Sequence, residues 1–157
     1  DGTDELDSRQ VLLGVLFAPP VDEMVSAARG MGCTWDVRGN SSKAQVSTTD
    51  SLDSAWVTTS DFTDLARREP GLHKQIAASG AMSRTWGDAF GYLLVATGRC
   101  EAMIDPIVSP WDIAPMPVII EEAGGTFTTM DGRPFVGKTA LATNGRVHRQ
   151  IVDAAAH

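Results

Sequence analysis

The stretch PWDIAPMPVIIEEAGG, residues 110–125, places an aspartate directly after a tryptophan and before an apolar run that two glycines close. This pattern predicts a helix from Asp112 to Glu122, with Pro115 in the first turn, where a missing N–H costs little. Asp112 therefore stands where a loop meets a buried helix. Two roles are open to its carboxylate: it can cap free helix N–H groups, or it can bind a hard cation such as Mg²⁺.

The segments around this stretch alternate between strand and helix patterns. Residues 11–18, VLLGVLFA, predict a buried strand stopped by Pro19-Pro20. Such alternation favours an α/β fold of layered sheets and helices, in a single domain over residues 1–157. The other predicted strands are one with a Gly-rich turn at 22–39, short β segments at 44–62, and strands at 101–105, 126–130 and 139–143. Two short helices are predicted on either side of Pro70-Gly71, and a further helix carries Phe90, Leu93, Leu94 and Thr97 on one face and ends at Gly98. A terminal helix is predicted to be capped by Asn144.

The composition narrows the class of protein. Hydrophobic residues make up 43% of the 157 residues and charged residues 21%, as in ordinary globular domains. The net charge of −7 argues against a nucleic-acid or membrane partner, but it leaves room for a small anionic substrate. Two distant cysteines predict neither a disulfide framework nor a metal pair, so we expect a reduced, cytoplasmic protein.

The opening stretch resembles a long family signature of the form W-D-x-A-x-x-x-x-I-x-x-E-A-G-G, the C-terminal signature of the inositol monophosphatase superfamily. The resemblance extends over GVLFAPPVDEMVSAARGMG, GYLLVATGRCEAMID and ALATNGRVHRQIV, which is most of the chain. It implies an αβαβα sandwich, of which this chain is similar to the C-terminal portion. It further implies a phosphomonoesterase that requires Mg²⁺, often a homodimer, in which Asp112 is a metal ligand. The matching residues are Trp111, Asp112, Ala114, Ile119, Glu122, Ala123, Gly124 and Gly125.

The first three residues resemble the end of the other metal motif of this superfamily, D-P-x-D-G-T. On this resemblance Asp1 binds metal, the N–H groups of Gly2 and Thr3 hold phosphate, and the Thr3 hydroxyl orients the attacking water. Asp-Gly-Thr is also an ordinary loop sequence, so that interpretation stays open. The short spacing from Thr3 to the first strand leads us to expect further chain before Asp1 and between Thr3 and Val11.

A second local pattern bears on the substrate. Gly87-Asp88 followed by Gly91-Tyr92 resembles the G-D-x-x-G-Y form of histidinol-phosphate phosphatases in this superfamily. The resemblance implies that Asp88 and Asp105 contact the organic part of the ester, and a carboxylate suits the ammonium and imidazole of histidinol. Asp88 can instead be a helix N-cap, and Asp105 can be a turn residue before a proline.

Other functions remain open at this stage. The same chemistry on an inositol phosphate is one alternative, and a non-catalytic fragment or interaction module is another. For several further residues we expect ordinary roles. These are a surface position for His148, a solvent-facing or locally paired Arg99, core or interface positions for Trp56, Trp86 and Trp111, and no chemistry for Glu121 and Glu122.

Overall fold

The computed structural model describes residues 6–156, so the predictions for Asp1, Gly2 and Thr3 fall outside the described residues. The strands are β1 Leu6–Asp7, β2 Leu13–Ala18, β3 Glu23–Ala28, β4 Cys33–Val37, β5 Asn40–Lys43, β6 Trp56–Thr59, β7 Met82–Arg84, β8 Ala102–Asp105, β9 Thr126–Thr128, β10 Phe135–Val136 and β11 Ala140–Thr143. The helices are α1 Phe62–Arg68, α2 Pro70–Ala78, α3 Asp88–Ala96, α4 Pro110–Ile113, α5 Met116–Glu122 and α6 His148–Ala155.

The two larger sheets and two groups of helices form alternating layers, and β1 and β10 pair in a separate two-stranded sheet. The first sheet is antiparallel, in the order β2-β3-β4-β5, and the second is mixed, in the order β7-β6-β8-β11-β9. Helices α3 and α5 lie between the sheets and share one apolar core with both. Helices α1, α2 and α6 cover the other face of the second sheet through a separate core. The predicted layered α/β fold is confirmed.

Strand β2 forms where expected, but the prediction that it is buried is wrong for one of its faces. Gly14 and Leu16 point toward the inner helices, and Gly14 lies so close to Pro115 that an added Cβ would be 2.6 Å from the Pro115 carbonyl oxygen. Val15 and Phe17 alternate with them and are exposed. An apolar run without alternation therefore also fits a strand whose second face is not covered by any of the residues that the structure describes.

The single helix predicted from Asp112 to Glu122 is instead two helices, α4 and α5. Pro115 is the N-cap residue of α5 and Pro117 lies in its first turn. Two prolines that close together remove two N–H donors, so the i to i−4 ladder cannot run through them.

The remaining predicted elements agree with the structure, apart from one helix cap. Two helices meet at Pro70, and α3 precedes Gly98, whose φ of 72° marks a left-handed helix end. The terminal helix α6 forms, but its N-cap is Val147, so the prediction that Asn144 caps it is wrong. Asn144 instead accepts hydrogen bonds from the N–H groups of Arg146 and Val147 in the turn before the helix. The segment from Leu6 to Val11 runs continuously through β1 and a 3₁₀ turn. The expectation of further chain before Asp1 and between Thr3 and Val11 is not tested outside that segment and stays a prediction. Within residues 6–156, no helix is long and apolar enough to cross a membrane.

Candidate active site

Two parallel strands bring Ser60 and Asp105 together. Strand β6 pairs with β8 in parallel, with Thr59 beside Ile104, so the next residues along each strand are neighbours. The Ser60 hydroxyl donates to Oδ1 of Asp105 at 2.9 Å. Asp105 is the last residue of β8 and only 3% exposed, so the turn interpretation for it is wrong. The carboxyl ends of parallel strands are a common place for ligand sites, because side chains converge there.

Helix α3 places Asp88 and Tyr92 on the same wall, since residues four apart share a helix face. Asp88 is the first residue of the helix and not its N-cap, which is Gly87, so the capping interpretation for Asp88 is wrong. A Cβ on Gly87 would collide with Ser60, and one on Gly91 would lie 2.6 Å from the Trp86 carbonyl oxygen. The G-D-x-x-G-Y pattern thus joins two close backbone contacts to two polar groups.

A pocket of about 450 Å³ gathers these groups. Asp88, Asp105 and Asp112 line it together with Ser60 and Tyr92, and its apolar wall is formed by Ala89, Ile107, Val108 and Ile113. The structure therefore brings together all three carboxylates that the sequence nominated within its described part. The volume suits a small polar molecule.

Asp112 lies in the first turn of α4, and the N-cap residue of this helix is Ser109. The capping interpretation for Asp112 is therefore wrong. The negative charge of its side chain is still stabilised by the positive end of the helix dipole. The residue is exposed. Its neighbour Trp111 is 78% exposed, so the expected core or interface position for Trp111 does not hold within the described chain.

Asp105 is held by two hydroxyl donors. Besides the Ser60 contact, the Tyr92 hydroxyl donates to Oδ2 of Asp105 at 2.6 Å. Burial raises the pKa of the Asp105 carboxyl above its ordinary value. The hydrogen bonds from Tyr92 and Ser60 lower this pKa, and the negative charge of Asp88 raises it. Burial also raises the pKa of the Tyr92 phenol well above its ordinary value, so Tyr92 is a protonated donor at neutral pH.

Among the described residues, the three carboxylates of the pocket lack a cationic side-chain partner. Within residues 6–156, Asp88, Asp105 and Asp112 form no ion pair with Arg, Lys or His. Among the same residues, no group of three or more His, Cys, Asp and Glu side chains is arranged to hold a metal ion. Asp112, an exposed oxygen donor, fits as one ligand of a hard cation, and further ligands would come from outside the described part.

The end of the long signature has a structural role that the sequence reasoning missed. Both carboxylate oxygens of Glu122 accept hydrogen bonds at 2.7 Å, one from the N–H of Gly30 and one from the N–H of Gly32. These bonds fasten α5 to the turn between β3 and β4. Glu121 pairs with Arg29 at 2.7 Å on the same side. The acidic residues of the signature thus divide between the pocket, where Asp112 lies, and the sheet.

The expected surface position of His148 is wrong, whereas the expectation for Arg99 holds in part. Arg99 is exposed and its Nε donates to the nearby Thr97 hydroxyl at 2.9 Å. It also forms a bidentate contact with Glu23, which is 76 positions away, and lies over the ring of Trp35. His148 is partly buried, and its ring contacts Thr128 and Thr143. Both side chains join elements that are distant in sequence, and such contacts leave no local signal.

Ser60 is the pocket residue that sequence reasoning did not find. A lone serine after a strand carries no signal by itself. Its place in the pocket follows from the pairing of its strand with the strand that ends at Asp105. A local sequence pattern does not reveal a pairing between strands 45 positions apart.

A layered α/β fold with an acidic pocket at the carboxyl ends of parallel strands defines a class of ligand-binding and catalytic proteins. The profile of the Inositol monophosphatase family matches residues 6–156, and the chain belongs to this family. The predicted relationship is therefore confirmed.

Individual relatives agree with this assignment. Histidinol-phosphatase of Mycobacterium tuberculosis is 35% identical over 146 residues, which cover 89% of this chain and 55% of that protein. Inositol-1-monophosphatase of Synechocystis is 31% identical over 150 residues, 92% of this chain and 51% of that protein. The solved inositol monophosphatase of Anabaena is 28% identical, with a TM-score of 0.77 over 91% of this chain and 57% of that chain. The chain spans about half the length of the curated relatives it matches.

Proposed function

We propose that this chain is part of a Mg²⁺-dependent phosphomonoesterase whose substrate is histidinol phosphate. The observation that carries the proposal is the pocket in which Asp88, Asp105 and Asp112 face one cavity and, among residues 6–156, form no ion pair. Three carboxylates that line one pocket favour positively charged ligands, either a metal ion or a cationic group of the substrate. The similarity to histidinol-phosphatases supports this substrate.

In this proposal Asp112 and Asp1 bind the metal. Bound Mg²⁺ would neutralise phosphate charge and lower the pKa of a coordinated water. The N–H groups of Gly2 and Thr3 donate hydrogen bonds to phosphate oxygens, and the Thr3 hydroxyl orients the water that attacks phosphorus. The reaction breaks the bond between phosphorus and the ester oxygen, water supplies the hydroxyl of the released phosphate, and the alcohol leaves with a proton.

Asp88 and Asp105 act on the organic part of the substrate. Histidinol carries an ammonium and an imidazole, and either group can donate to a carboxylate. The buried Asp105 offers the stronger contact, because a charge-assisted hydrogen bond gains strength where water is excluded. Ile107, Val108 and Ile113 supply an apolar wall for the carbon skeleton.

A phosphate-release assay with the full-length protein tests this proposal. We expect turnover of histidinol phosphate with Mg²⁺, loss of turnover with a chelator, and a lower catalytic efficiency on inositol 1-phosphate. The Synechocystis relative makes inositol phosphate the second candidate, and preferential turnover of that ester would replace the first. No phosphate release from any small ester at saturating Mg²⁺ would favour a non-catalytic role.

We also propose that the protein works as a homodimer in the cytoplasm. The basis is the resemblance to the family together with the two free, buried cysteines of the described chain.

A further inference from the structure

The Asp105 carboxylate is anchored on both of its oxygens. Tyr92 donates to Oδ2 from α3, and Ser60 donates to Oδ1 from the end of β6. Within residues 6–156, these are the hydrogen bonds that Asp105 accepts at its side chain. A carboxylate has about four acceptor positions, so two remain for a ligand in the pocket.

The two donors are themselves held in place. Tyr92 is 1% exposed inside the core between the sheets, where its ring packs near Phe127. The Ser60 oxygen accepts a hydrogen bond from the Asp88 N–H at 3.3 Å, and Gly87 packs directly against Ser60. These contacts hold the Tyr92 ring and the Ser60 side chain beside Asp105.

We propose that Tyr92 and Ser60 are positioning residues that fix the orientation of the Asp105 carboxylate for an ammonium group on the organic part of the substrate. Tyr92 and Ser60 act through Asp105 and need no contact with the substrate. The inference rests on the proposed function, because it assumes a cationic phosphate ester. A phenylalanine at position 92 would fill the core equally well, so the hydroxyl at this buried position is explained by the carboxylate it serves.

The test compares Tyr92→Phe and Ser60→Ala with the wild type in the full-length protein. Both changes should raise the KM for histidinol phosphate roughly tenfold and leave kcat within about threefold, since a hydrogen bond to a charged group is lost while the metal site stays intact. The KM for glycerol phosphate, which lacks an ammonium group, should not change. Thr97→Val is the matched control, because Thr97 lies at the far end of α3 and donates to the Leu93 carbonyl and not to Asp105.

A double variant separates positioning from general packing. If Tyr92 acts only through Asp105, Tyr92→Phe adds no further KM increase in an Asp105→Asn background. Equal KM increases for both esters, or wild-type KM values in both single variants, would overturn the inference. If Tyr92→Phe does not fold, Ser60→Ala is measured in the wild-type and Asp105→Asn backgrounds, because Ser60 also accepts from the Asp88 N–H. A KM increase that disappears in the Asp105→Asn background supports the inference, and one that persists there overturns it. Ser60 is exposed, so its change leaves no core cavity.

Different measurements test the proposed function and the positioning role of Tyr92 and Ser60. A wild-type protein that does not hydrolyse histidinol phosphate overturns the proposed function. Calorimetric titration with histidinol, in the presence of Mg²⁺ and inorganic phosphate, then decides the positioning role alone. Weaker binding in Tyr92→Phe than in the wild type supports it, and equal or absent binding in both proteins overturns it.

Discussion

Asp88 begins α3 with a left-handed backbone, at a φ of 51°. Such a conformation costs a side-chain-bearing residue about 1 kcal/mol or more, so the surrounding contacts must hold it. Ser60 accepts from the Asp88 N–H, and Thr58 donates to the carbonyl of Trp86 just before it. The strain thus lies at the wall of the acidic pocket.

At the same scale, Asp112→Asn should abolish Mg²⁺-dependent phosphate release while leaving the protein folded. Asparagine keeps the shape of the side chain but loses the negative charge that a hard cation requires. Changing residues that only support a metal ligand already costs roughly 10- to 100-fold, so losing a ligand should cost about 100-fold or more at limiting Mg²⁺. Steady-state assays over a Mg²⁺ titration measure this effect.

The control for that variant is Asp64→Asn. Asp64 also lies in the first turn of a helix, but in α1, on the far face of the second sheet. It should retain wild-type activity. Activity of Asp112→Asn equal to the wild type at limiting Mg²⁺ would exclude Asp112 as a ligand.

At the scale of elements, the sequence predicted element types better than it predicted their surroundings. Residues 11–18 gave the correct strand, because its apolar content is local, but its exposed face depends on what packs against it. The two prolines of 110–125 were visible, yet the helix break follows from their combined loss of donors within one turn. The contact of Ser60 with Asp105 depends on which strands pair, and this is a property of the whole fold.

Strand β2 offers a test of its two faces. Gly14→Ala should destabilise the protein by about 1–3 kcal/mol, because a Cβ there would lie 2.6 Å from the Pro115 carbonyl oxygen and 2.9 Å from its Cβ. Val15→Thr, one residue along on the outer face, should change stability by no more than about 0.5 kcal/mol, because Val15 is 54% exposed. Urea unfolding followed by circular dichroism measures both. Equal midpoints for Gly14→Ala and the wild type would show that α5 moves to accept the methyl group.

At the scale of the whole molecule, a few polar side chains link the layers. Arg99 follows α3 and binds Glu23 of the first sheet. His148 begins α6, and its ring joins that helix to two strands of the second sheet, contacting Thr128 of β9 through Nε2 and Thr143 of β11 through Nδ1. Thr128 donates its own proton to the Thr129 carbonyl, so its oxygen can accept from Nε2–H. The contacts therefore fit a neutral imidazole with its proton on Nε2.

This arrangement makes the stability of the layered fold depend on pH. Burial lowers the pKa of His148 below its ordinary value of 6.5 in the folded state, so between the folded pKa and 6.5 the unfolded chain binds more protons. Stability should therefore be constant above about pH 7 and should fall as the pH drops through and below 6.5. His148→Gln should flatten this dependence, whereas His73→Gln, a change on α2, should retain it. Urea midpoints from pH 8 to pH 5 measure the slope, and an unchanged slope in His148→Gln would assign the acid sensitivity to other groups.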